Sequence, residues 1–110
     1  YSLIIYHQWS HFIDTFRSDI DDSGLSDNVK NLLKMIREIK KQIAEKQAEM
    51  SALMADKNLS PDQLRARLSG LQSALSALQA SLNGAQASLT KVMKDMTPDD
   101  AAKTAALAMK

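Results

Sequence analysis

The chain has 110 residues, with 14 Lys and Arg against 13 Asp and Glu for a net charge of +1, and 45% of it is hydrophobic. That length builds one modest core, and the near-neutral balance lacks the broad positive field on which nucleic-acid or anionic-membrane binding draws. With 0 Cys there are no disulfides, thiolate metal sites or cysteine nucleophiles, and 3 Gly with 2 Pro is a helical diet.

Residues 1–20 hold Tyr1, Tyr6, Trp9, Phe12 and Phe16, which are all the aromatics in the chain. Ile5, Trp9, Phe12, Ile13, Phe16 and Ile20 form one broad apolar face at helical spacing, so an aromatic amphipathic helix is expected over residues 1–20. Burying Trp9, Phe12 and Phe16 contributes about 1.5 to 3 kcal/mol each, so this face must find cover. Ile5, Trp9, Phe12 and Phe16 are therefore candidate interface residues. The first residue is Tyr1, and the chain is expected to be a piece of a longer one.

His7, His11 and Asp14 lie at i, i+4 and i+7, a spacing that suits metal ligands. No second cluster completes the set, and the three serve equally as the polar side of the helix. Asp19 to Gly24 imitates the start of a calcium loop, but the twelfth position is Lys30 where a bidentate Glu is needed. No metal or cofactor site is assigned.

A break follows over residues 21–26, where Gly24 suits a left-handed position and Ser26 an N-cap. The second helix, expected over 27–57, carries the seam Val29, Leu32, Ile36, Ile39, Ile43, Lys46, Met50 and Leu53, alternating steps of 3 and 4. Lys46 is its one polar intrusion, and such a residue fixes register at a cost in stability. Lys30, Lys34, Arg37 and Lys41 form a basic stripe that Glu38, Glu45 and Glu49 offset, which predicts a solvated face.

The stretch Lys57 to Gln63 is the best-specified turn. Asn58 is expected in the left-handed position with Leu59 folding back on Met54. Ser60 should cap the next helix, Pro61 begin it and Gln63 complete a capping box.

The third helix is expected over 61–96. Its seam is Leu64, Leu68, Leu71, Leu75, Leu78, Leu82, Ala85, Leu89, Val92 and Met96, without a slip. A strict 3.5-residue repeat stays in contact with a neighbour only if the two helices supercoil. The short turn makes the second and third helices an antiparallel coiled-coil hairpin, pairing Leu53 with Leu68, Ile43 with Leu78, Ile36 with Ala85 and Val29 with Val92. A short Ala-rich helix over 98–109, capped by Thr97, ends the chain and has few large side chains to bury.

Between Arg67 and Lys91 no residue is charged. Gly70, Ala74, Ala77, Ser81, Gly84 and Ser88 instead form a stripe of small residues beside the seam, where another backbone could come close. These six are the second set of candidate interface residues.

The stretches Ile39 to Gln47, Leu59 to Leu68 and Leu71 to Gln79 resemble the FlxA-like family of bacterial coiled-coil proteins, and the resemblance covers residues 27–96. It implies a bacterial source, paired Gln-rich heptad helices and a link to flagellar or secretion systems; it carries no defined activity. No nucleophile with a nearby base, phosphate cradle or apolar carboxylate pair occurs, so no catalytic residue is assigned. The expectation is a single all-α domain acting as a non-enzymatic interaction module, through self-association or a protein partner and without nucleic acid. The alternative, with a membrane as partner and not the favoured reading, is a secreted, membrane-active translocator or pore-forming component.

Overall fold

The computed structural model describes residues 18–110. Ile5, Trp9, Phe12 and Phe16, with His7, His11 and Asp14, lie outside the described residues. Every regular element among those described is α-helical: α1 is Asp27–Ala55, α2 is Pro61–Met93 and α3 is Pro98–Ala108. A helical turn at 18–21 precedes them. The all-α class read from composition is the class of the fold.

The helices stop one to three residues short of the expected boundaries, and the ends of α1 and α2 run into tighter bonds. Asp56 N–H donates to the Leu53 carbonyl, and Met96 N–H to that of Met93, each at 3.2 Å with i to i−3 spacing.

Starts are set by side chains. Ser26 Oγ accepts from Val29 N–H at 3.4 Å, and Thr97 Oγ1 from Asp100 N–H at 3.2 Å. The capping box is complete at α2, where Gln63 N–H donates to Ser60 Oγ at 3.2 Å and Ser60 N–H to Gln63 Oε1 at 3.1 Å. Gly24 is left-handed at φ 77.

Asn58 departs from expectation. No residue other than glycine has positive φ among those described, so Asn58 does not close α1 in the left-handed form. Its N–H donates instead to Asp56 Oδ1 at 2.9 Å, an Asx-type turn in which the nearer carboxylate supplies the acceptor. Met54 stays 65% exposed at that end.

Two compact units are distinguished by their internal contacts. One joins residues 18–34 to Leu89–Lys110. Its buried side chains are Ile20, Leu25, Val29, Leu33, Leu89, Thr104 and Leu107. A cavity of about 300 Å³ in this unit is bordered by Leu25 and Val29 at the start of α1 and by Val92 and Met96 at the end of α2. Lys34 pairs with Asp21 and Lys110 with Asp19 at its surface, contacts that add about 0 to 1 kcal/mol each.

The other unit, Met35–Ser88, holds the rest of α1, the turn and most of α2. Ile36, Arg37, Ile39, Leu82 and Ala85 are buried in it, while from Lys40 to Ser81 every side chain is partly buried or exposed.

Candidate interaction surface

The α2 seam divides inside from outside with little ambiguity. Leu82, Ala85 and Leu89 are buried, and Leu64, Leu68, Leu71, Leu75, Leu78, Val92 and Met96 are partly buried. Of the residues between them only Ala74 and Met93 are not exposed. On α1 the seam positions Val29, Ile36 and Ile39 are buried, and Leu32, Ile43, Met50 and Leu53 partly so. Lys46, also partly buried, turns its ammonium to Glu49 Oε2 at 3.4 Å, so its stem follows the seam while its charge faces water.

The small-residue stripe lies within the unit Met35–Ser88. Gly70, Ala77, Ser81, Gly84 and Ser88 are exposed, and Ala74 is partly buried. A Cβ added to Gly70 or Gly84 would meet nothing within 4 Å, and neither glycine has positive φ. Neither the backbone nor any neighbour among the described residues requires glycine there. At the start of α2, a shallow groove of about 440 Å³ has Leu64 and Leu68 as its apolar floor, with Arg65 and Gln72 beside them.

The basic stripe is less solvated than its charges suggest. Lys41 is exposed and Lys30, Lys34 and Lys40 are partly buried, but Arg37 is only 7% exposed. Charge offset predicts a hydrated face, whereas a long Arg stem is readily covered by packing.

Among the described residues, no group of three or more His, Cys, Asp or Glu could hold a metal. Asp19 and Asp21, the acids of the calcium-like stretch, face lysines instead. No helix among the described residues is long and apolar enough to cross a membrane.

Set against known protein families, curated proteins and solved structures, the chain matches none. The surface chemistry alone therefore bears on function. What the described surface offers is apolar contact along the seams and a row of small side chains beside them.

Sequence reasoning missed three buried positions. Arg37, Thr104 and Leu107 are 7%, 0% and 7% exposed. The last two share one face of α3 at i, i+3. That spacing is a detectable signal, masked here by the surrounding alanines.

Proposed function

We propose that the protein is a non-enzymatic interaction module, an antiparallel coiled-coil hairpin of α1 and α2 that associates with a second copy of itself. One observation carries this reading: over residues 40–81 both seams continue in phase, yet none of their side chains is fully buried. The five-residue connection between the helices and the shared cavity of Leu25 and Val29 with Val92 and Met96 support the antiparallel hairpin.

Magnitudes favour association through more than the seam. Ile43, Met50, Leu53, Leu64, Leu68, Leu71, Leu75 and Leu78 are the partly buried apolar seam residues of this stretch. If each keeps about 35 Å² of apolar surface in water, covering all of it on both copies is worth on the order of 14 kcal/mol. Association costs about 4 to 15 kcal/mol in lost freedom, so at the upper end of that cost the seam alone leaves no margin. The balance must come from close packing of the flank, where Gly70, Ala77 and Gly84 leave room and no charge needs desolvation between Arg67 and Lys91.

Sedimentation equilibrium of the wild type and of Ala77→Arg tests the reading. Residue 77 is exposed, so the variant retains its helicity. The wild type is expected well above 12.1 kDa and the variant at 12.1 kDa. A wild type that stays monomeric up to about 100 μM, or an unchanged mass in the variant, overturns it.

A further inference from the structure

The contacts of α3 are of two kinds, and the difference carries an inference independent of self-association. Within α3, Thr104 and Leu107 are buried. Thr104 Oγ1 lies 2.8 Å from the Asp100 carbonyl, to which it donates, and 3.5 Å from Met96 Sδ. Two lysines tie this end of the chain to the turn near residue 20. Lys103 Nζ donates to the Ser23 carbonyl at 2.9 Å, and Lys110 Nζ sits 3.3 Å from Asp19 Oδ2.

The turn they reach is a helix end. Asp22 N–H closes on the Ser18 carbonyl at 2.8 Å, Ser23 N–H on that of Ile20 at 3.2 Å, and Gly24 reverses the chain at φ 77. Carbonyls at a helix C-terminus carry partial negative charge, which an ammonium satisfies. Ile20 and Leu25, both buried, flank the carbonyl that Lys103 holds.

We propose that α3 is a clip: with residues 18–25 it forms one cooperative element that opens and closes while α1 and α2 stay folded, and salt sets how often it opens. An isolated helix of 11 residues is marginal in water, so α3 depends on its docking contacts. Those contacts include one large apolar side chain, Leu107, and two exposed lysines whose interactions salt screens. Local openings of this kind are drawn from the least stable part of a fold. Losing the Lys103 contact removes the ammonium from the Ser23 carbonyl, so residues 18–25 loosen with α3.

Amide hydrogen exchange on the full chain tests this, with wild type compared to the double variant Lys103→Met, Lys110→Met, which keeps the aliphatic stems. In the wild type, amides of 20–25 and 102–108 are expected to share one opening constant, at least about tenfold above that of the buried seam at Ile36, Ile39, Leu82 and Leu89. The double variant should raise that shared constant by about threefold to tenfold and leave the seam amides unchanged. Raising salt from about 0.1 to 1 M should open the wild-type clip about twofold and the variant less, since the two lysine contacts are gone while the Lys34 pair with Asp21 remains to be screened there. The wild-type half of the salt arm needs no variant, so it holds even where the variant folds poorly. Exchange of both segments at the rate of the seam, opening of α3 with 20–25 unaffected, or indifference to salt would each overturn the clip.

Discussion

Replacing Gly70 and Gly84 together by Ala separates what α2 needs for itself from what it offers a partner. Both glycines sit in the interior of a 33-residue helix, and the added Cβ meets nothing within 4 Å. Glycine in a helix interior costs about 0.5 to 1 kcal/mol relative to Ala, through backbone entropy alone. The two positions lie about 21 Å apart along the helix, so their effects add, to at most about 2 kcal/mol. Unfolding entropy scales with length and comes to about 0.23 kcal/mol per kelvin for a chain of this size, so Tm should rise by up to about 9 °C. That is the outcome for an isolated chain in dilute solution, read by circular dichroism melts near 1 μM. In the proposed assembly the same methyl groups enter a face where backbones approach closely, and overpacking costs about 1 to 3 kcal/mol per site. The gain should therefore shrink or reverse as concentration rises, with self-association weakened at least about tenfold in sedimentation. A Tm gain that is the same at every concentration, with unchanged mass, would remove the stripe from the interface. A loss of stability in dilute solution would refute the underlying reasoning, since it would mean the chain itself needs those glycines.

Two further substitutions probe the local physics. Gly24→Ala meets equally open space but sits at φ 77, so the same chemical change should lower stability by about 1 kcal/mol, or roughly 4 °C in Tm. Lys46→Leu exchanges a partly exposed ammonium paired with Glu49 for an apolar side chain in phase with Ile43 and Met50. Tm should rise by several degrees while the mass distribution in sedimentation broadens as register is lost; an unchanged Tm would place Lys46 outside the seam's contacts.

Periodicity located the buried faces of both long helices because each heptad step repeats a single geometric relation, and α2 obeys it from Leu64 to Val92. Capping was equally legible. Ser26, the pair Ser60 and Gln63, and Thr97 each make the bond their side-chain chemistry favours within three residues. Asn58 was not, because two acceptor-bearing residues compete at that turn and local propensity does not rank Asp56 above a left-handed Asn. Nor was Arg37, whose burial is a tertiary event on a flank of α1 outside the heptad seam. The small-residue stripe was legible as a pattern, and in the fold its members are exposed except for the partly buried Ala74; a pattern of small residues does not name what covers it.

The contrast between Ile36 and Leu75 shows why a flawless repeat still leaves the assembly open. Both occupy seam positions of the same unit, both are large and aliphatic, yet Ile36 is 1% exposed and Leu75 only partly buried. A heptad repeat says which side of a helix turns inward; it does not say how many layers lie there. Where two helices meet with nothing behind them, each seam side chain has neighbours on one side, and apolar surface remains in contact with water along the open edges. Stretches with Arg37, Ile39, Leu82 and Ala85 buried around them have that edge closed. From Lys40 to Ser81 it is not closed, although the apolar residues there keep the size and phase that closure would use. A sequence that places Leu at every α2 seam step except Ala85 and Val92 and withholds charge from Ser69 to Thr90 suits the further layer of helix that the proposed assembly would supply. In the proposed hairpin, the most economical source of such a layer with matching length and phase is another copy of the same hairpin.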